Sequence, residues 1–284
     1  IISGRPNIQN RLTHGTAAAA SAAGFLLGFS GMFLDSPAIF SIPSGLPLLE
    51  VQFRLDPLSA FFVLMISVTG LAVSLYAVGY VREFEGRASI GVLGSLYNAF
   101  LLSMTLVVVA DHGFLFLILW EVMSLSSYFL VVTEHEKPET RYAGLFYLVM
   151  THIGTAFIMV AFLLLYQQAG TFSFEAFRSA GQAMPEMIRT AVFLTALIGF
   201  GTKAGIVPLH VWLPYAHPAA PSHVSALMSG VMIKTGIYGI VRMSFDLLGG
   251  DLPCWWGFLV LSMGAISALL GVMYALMEHD LKRL

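Results

Sequence analysis

The chain has 284 residues, 57% of them hydrophobic and only 11% charged, with a mean hydropathy of +0.82. An ordinary water-soluble domain is about 25% charged, so the composition excludes that class and points to a protein of the bilayer. The formal net charge of -2 offers no basic footprint for nucleic acid. The single cysteine, Cys254, excludes an intrachain disulfide. It also excludes an iron–sulfur cluster held by this chain alone, since such clusters take about four thiolates.

A membrane-spanning helix needs about 20 predominantly apolar residues. Stretches that qualify fall at 15–34, 56–80, 91–110, 113–132, 142–166, 190–216, 221–242 and 254–277, about eight spans in all. Between the fifth and sixth, residues 167–189 read as a polar external connection carrying a short surface helix. The sixth stretch is the least regular, because Gly199, Gly201, Gly205, Pro208, Pro214, Pro218 and Pro221 crowd its second half. Proline removes a backbone donor and clashes with the preceding turn. The spacing therefore predicts a helix broken just after Lys203, then a short second piece through Trp212. Broken helices survive at membrane depth only when buried in protein or lining a hydrated cavity, and transporters place ion sites at them. A plain loop between two ordinary spans is the alternative. Trp212, Trp255 and Trp256 suit an interfacial aromatic belt.

The chain starts at Ile1 without a signal-peptide pattern and stops at Leu284, directly after the charged run from Glu278 to Arg283. It reads as one membrane domain over residues 1–284 and as a piece of a longer chain. If the spans alternate, one side holds Arg5, Arg11, Arg82, Arg87, Lys137, Arg141, Lys282 and Arg283. The other holds Arg54, Arg178, Arg189 and Arg242. The positive-inside rule makes the first side cytoplasmic, with both ends of the chain on it.

Of the 14 Lys and Arg and 16 Asp and Glu residues, all but Glu121, Lys203 and Lys234 fall in connecting segments by this reading. A charge near the bilayer centre costs roughly 2.5–3.5 kcal/mol on insertion scales. At a rise of about 1.5 Å per residue, Glu121 and Lys203 lie about 12 and 20 Å from the outer edge and Lys234 about 18 Å from the cytoplasmic edge, in the middle of a core about 30 Å thick. Burial disfavours a charge and a nearby opposite charge restores it. A Glu121–Lys203 pair on neighbouring helices is thus a candidate proton switch, with Lys234 next in the row. A static buried ion pair that fixes helix packing is the competing reading. The histidines carry less information. His152 lies inside the fifth span, where a hydrogen-bonded interior role and a proton-relay role are both open. His210, His217 and His223 surround the broken segment and read first as capping or packing residues, with relay as the second reading. Their spacing, interrupted by prolines, suits no zinc site.

The run Leu119-Trp120-Glu121-Val122-Met123-Ser124 resembles the glutamate helix of the antiporter-like, proton-pumping membrane subunits of complex I and membrane-bound hydrogenases. Gly201-Thr202-Lys203-Ala204-Gly205-Ile206-Val207-Pro208-Leu209-His210-Val211-Trp212-Leu213-Pro214 resembles their broken lysine helix. Ala219-Ala220-Pro221-Ser222-His223-Val224-Ser225-Ala226-Leu227, running on to Lys234-Thr235, resembles the next helix. Within that family, Ala216-His217-Pro218-Ala219-Ala220 and Tyr274-Ala275-Leu276-Met277-Glu278-His279-Asp280 are most similar to the large membrane subunits of hydrogenase-4 and formate hydrogenlyase complexes.

The resemblance implies an all-α, polytopic helical bundle, part of a fold of two inverted five-helix repeats. The first repeat would occupy 91–242 and the second would begin at 254–284. It implies proton transfer through Glu121, Lys203 and Lys234 and no cofactor or metal in this chain. It further implies other membrane subunits and a peripheral hydrogenase-like module with Ni–Fe and Fe–S centres as partners, in a bacterial or archaeal cytoplasmic membrane. Two departures stand out. Tyr215 occupies a position where relatives often have an acid, and His152 and Thr155 stand where the longest complex I subunits carry Arg and Asp. A subunit of an Mrp-type sodium/proton antiporter and a non-conducting scaffold of a hydrogenase are the alternatives.

Overall fold

The computed structural model describes residues 6–43, 45, 49–249 and 252–279. Arg5, Lys282 and Arg283 of the loop-charge comparison, and Asp280 of the last motif, lie outside the described residues. The first helix, α1 (Pro6–Gly31), is followed by an antiparallel hairpin, β1 (Ala38–Ile42) and β2 (Val51–Leu55), with Ala38 opposite Leu55. Then come α2 (Pro57–Tyr80), α3 (Ile90–Val109), α4 (Gly113–Val131), α5 (Pro138–Ala169), α6 (Phe174–Ala183) and α7 (Glu186–Ala204). A short α8 (Leu213–Ala219) leads into α9 (Ser222–Leu227), which continues through a π-helical turn (Met228–Met232) into α10 (Ile233–Val241) and a second π turn (Arg242–Leu247). The last helix is α11 (Cys254–Met277).

Among the described residues, seven helices are long and apolar enough to cross a membrane, where the sequence predicts eight. The helix outside that set is α1, which begins at Pro6 rather than at 15. Its inner stripe is small or polar, Asn10, His14, Ala17, Ser21, Gly28 and Gly31, and this stripe packs along α2. The spans at 56–80, 91–110, 113–132, 142–166 and 254–277 match α2, α3, α4, α5 and α11 closely. The surface helix expected within 167–189 is α6, whose Phe174 and Phe177 are buried against the bundle. The hairpin is not predicted from the sequence.

The ends of the helices follow local chemistry. Asp56 caps α2, its carboxylate accepting from the Ser59 amide at 2.8 Å, with Pro57 in the first turn where it costs no hydrogen bond. Gly170 ends α5 and Gly205 ends α7, both at positive φ, a conformation glycine adopts without a Cβ clash.

One face of the bundle is knotted by charge. Isolated bridges join Phe53 to Ala110 and His112 to Ser173, so the hairpin, the α3–α4 connection and the start of α6 form one cap. Beneath it, Arg242 holds both oxygens of Asp56 and one of Asp246. Arg178 holds Asp246 at 2.8 Å and Asp111 at 3.2 Å, and Arg54 reaches Asp56 and Glu175 at 3.8 Å. Burial raises the Asp56 carboxyl, but the hydrogen bonds and charge of Arg242 outweigh it and hold the group at about 2. For Asp111 burial wins, and its carboxyl sits above the ordinary value despite Arg178. Arg242 is thus not a loop residue, as the span 221–242 implies. The helix runs on to Leu247, and the guanidinium is buried under Tyr238, Ser59 and two carboxylates. Three of the four arginines counted on the outer side are neutralised in this network.

Candidate proton-transfer site

The α7 helix ends directly after Lys203, as the glycines and prolines predict. The Gly205 and Ile206 amides turn back onto the Thr202 and Gly201 carbonyls, closing the helix. The second piece differs from expectation. Residues 206–212 form turns, with a cis Val207–Pro208 bond, and the helix resumes only at Leu213. Pro214 falls in the first turn of α8, a position proline tolerates. Trp212 is not an interfacial belt residue. It is fully buried, donates its indole N–H to the Thr202 carbonyl at 2.8 Å, and lies 4.9 Å from the Tyr147 ring. Trp256 is also buried, stacked on Phe193, while Trp255 is exposed.

Lys203 is buried, at 2% exposure. Its ammonium donates to Tyr147 Oη at 2.9 Å and to Ser124 Oγ at 3.2 Å, and it faces the rings of Tyr147 and Trp120 at 5.2 and 6.0 Å. Tyr147 Oη, which accepts from Lys203, lies 2.6 Å from Ser127 Oγ and 3.6 Å from Met232 Sδ. Ser127 Oγ also reaches the Met123 and Ser124 carbonyls, which can only accept. Among the described residues no carboxylate lies within ion-pair distance of Lys203. Loss of its proton leaves no uncompensated anion behind.

The expected Glu121–Lys203 pair is replaced by a different one. Glu121 Oε2 lies 3.4 Å from His152 Nε2, with the two side chains 30% and 48% exposed on the outer face of α4 and α5. Glu121 Oε1 is buried without a hydrogen-bond partner. Lys234 is half-buried and donates to the Ser229 carbonyl, inside the π turn that precedes α10. Such π insertions re-aim side chains and recur at functional sites.

The four histidines lie in four places. His152 belongs to Glu121. His217 lies beside Trp212, 6.1 Å between rings, with Nε2 buried and without a hydrogen-bond partner among the described residues. His210 packs near Tyr274 of α11, 6.4 Å between rings. His223 is fully buried elsewhere, among His14, Tyr80 and Tyr97. None of the four caps a helix.

Sequence reasoning misses Tyr147, Ser127 and the partnership of Ser124. A tyrosine or serine in an apolar helix is common, and nothing in its spacing distinguishes the one that meets a lysine 56 residues away. His14 and Tyr97 are missed for the same reason.

Residues 110–284 match the family described as NADH:quinone oxidoreductase/Mrp antiporter, TM, and residues 42–89 match NADH-ubiquinone oxidoreductase (complex I), chain 5 N-terminus. Hydrogenase-4 component B of Escherichia coli is 50% identical over 236 residues, covering 83% of this chain and 34% of that one. Formate hydrogenlyase subunit 3 of the same organism is 31% identical over 278 residues, covering 98% and 43%. The chain therefore spans between a third and about two fifths of these relatives. An archaeal respiratory membrane complex, the membrane-bound sulfane sulfur reductase, contains a chain of the same fold, with a TM-score of 0.81 at 21% identity over 99% of this chain and 56% of that one.

Proposed function

The chain belongs to the family of NADH:quinone oxidoreductase and Mrp antiporter membrane subunits, and from that premise we propose that it moves protons within a respiratory-type oxidoreductase complex of the hydrogenase-4 or formate hydrogenlyase kind. The observation that carries the proposal is Lys203. It is an ammonium buried in the bilayer-spanning core, held by two hydroxyls and two ring faces, at the point where its helix breaks. A static device would bring a carboxylate to such a charge. Hydroxyls accept the ammonium's hydrogen bonds and tolerate its neutral form.

In this reading a proton rests on Lys203 and leaves toward Lys234, with His217 and internal water between them. Glu121, at the outer face of α4, couples Lys203 to a neighbouring membrane subunit. This chain carries no redox cofactor. Electrons pass through partner subunits, a peripheral hydrogenase-like module with Ni–Fe and Fe–S centres, in the cytoplasmic membrane of a bacterium or archaeon. Both ends of the chain lie on the cytoplasmic side, supported by the neutralisation of Arg54, Arg178 and Arg242 on the opposite face.

The test uses the full-length protein in its assembled complex, reconstituted in vesicles, with electron transfer started by the donor. Acidification that needs no sodium supports proton pumping. A requirement for sodium moves the chain to the Mrp-type reading, and electron transfer without any gradient assigns it a scaffold role.

A further inference from the structure

The contact between Glu121 and His152 fixes where a proton must be. His152 Nδ1 lies 2.9 Å from the Leu148 carbonyl oxygen. A carbonyl only accepts, so Nδ1 bears hydrogen and the other ring nitrogen, Nε2, carries the lone pair of the neutral ring. Nε2 faces Glu121 Oε2 at 3.4 Å. If both groups gave up their protons, a nitrogen lone pair would face a carboxylate oxygen with nothing between them. The arrangement is attractive only with one proton present, either as carboxylic acid facing imidazole or as carboxylate facing imidazolium.

We infer that Glu121 and His152 form a single proton-holding couple on the α4–α5 face, and that His152 is the second proton carrier of the site. The inference rests on the proton-moving reading and deepens it. In the transfer step the Oε2–H bond breaks and the Nε2–H bond forms, while Nδ1–H stays on the Leu148 carbonyl. The products are a carboxylate and an imidazolium, so the couple keeps its net charge and its proton count. The two ends of the couple face different ways. Glu121 Oε1 is buried and has no hydrogen-bond partner among the described residues. The His152 ring is half exposed on the outer face. A proton passed from oxygen to nitrogen moves across the 3.4 Å contact from the less exposed to the more exposed of the two side chains.

Among the described residues, no third charged side chain forms an ion pair with either member of the couple. Neither Lys203 nor Tyr147 touches His152. The position tolerates change, since the ring is not part of the core, so substitutions there report on protons rather than on folding.

The experiment compares His152→Gln and His152→Arg in the full-length protein within its assembled complex, reading proton-gradient formation and the infrared band of the protonated Glu121 carboxyl, identified by its loss in Glu121→Gln. Glutamine keeps a donor but cannot take up a proton; arginine keeps the positive charge but cannot release one. Loss of a positioned proton-transfer group lowers rate by about 100-fold or more. The inference requires that loss in both variants, with a changed carboxyl band in His152→Gln. Wild-type rates in both variants overturn it, as does rescue by arginine, which would reduce His152 to a fixed charge. A rate loss with an unchanged carboxyl band assigns His152 a packing role and also overturns it. Lys203→Ala is run alongside. If Lys203→Ala stops transport while the His152 variants pump normally, only the couple fails; if no variant affects transport, the proton-moving reading fails with it.

Discussion

Replacing Tyr147 with phenylalanine removes one oxygen from the surroundings of Lys203 and leaves the rest of the site in place. The ring stays over the ammonium at 5.2 Å and against Trp212 at 4.9 Å. Ser127 keeps the Met123 and Ser124 carbonyls as acceptors. With the oxygen go its contacts to Ser127 at 2.6 Å and Met232 Sδ at 3.6 Å and the 2.9 Å hydrogen bond from the ammonium, so that Ser124 at 3.2 Å is the remaining partner of Lys203. A hydrogen bond to a charged group contributes about 1.5–3 kcal/mol. At about 1.4 kcal/mol per factor of ten, the ratio of ammonium to amine on Lys203 falls by about 10- to 150-fold. The assay is proton-gradient formation by the assembled Tyr147→Phe complex in vesicles as a function of pH. The rate at neutral pH falls by up to that factor and recovers on acidification, which refills the amine. A rate that matches wild type at every pH, with assembly intact, would refute the view that Tyr147 stabilises a transported proton on Lys203.

Further outcomes follow from the same geometry. Asp56 titrates at about 2 in the fold and near 3.8 when free, so its contact with Arg242 contributes in full above pH 4 and is lost as pH falls through 2. Thermal unfolding of the solubilised protein shows an acid-side decline in that window. In Asp56→Asn that decline is absent and stability is lower by about 3 kcal/mol at neutral pH; superimposable profiles would contradict the assignment. At Gly236 a Cβ would come within 2.6 Å of the Phe200 carbonyl oxygen and 2.7 Å of the Ala204 amide nitrogen. Gly236→Ala forces α10 off α7 beside Lys203, costs about 1–3 kcal/mol, and lowers both the melting temperature and the pumping rate. A variant with normal thermal unfolding would show that the two helices do not pack as described.

Much of this is legible in the sequence, for a physical reason. Charge in an apolar run is costly, so Lys203 stands out among its neighbours by residue type alone, and a cluster of glycine and proline just after it marks the break. The extent of the second piece is not legible, because Pro208 and Pro214 both permit a restart and only the burial of Trp212 on the Thr202 carbonyl decides between them. Arg242 is misplaced because twenty apolar residues suffice to span, and the sequence ends that count at 242. Its carboxylate partner Asp56 lies 186 residues away. Tyr147 and the Glu121–His152 contact are tertiary facts of the same kind, set by how α4, α5 and α7 meet. The hairpin at Ala38–Leu55 is short and exposed on one strand, so no alternation of buried residues announces it.

The most direct test of the central claim is Lys203→Ala in the full-length protein within its assembled complex, with electron transfer and proton-gradient formation followed together in the same vesicles. The account predicts that the gradient collapses while assembly is retained, and that any fall in electron transfer measures how tightly the two are coupled. Unchanged gradient formation and unchanged electron transfer would make the buried lysine a structural residue and contradict the account.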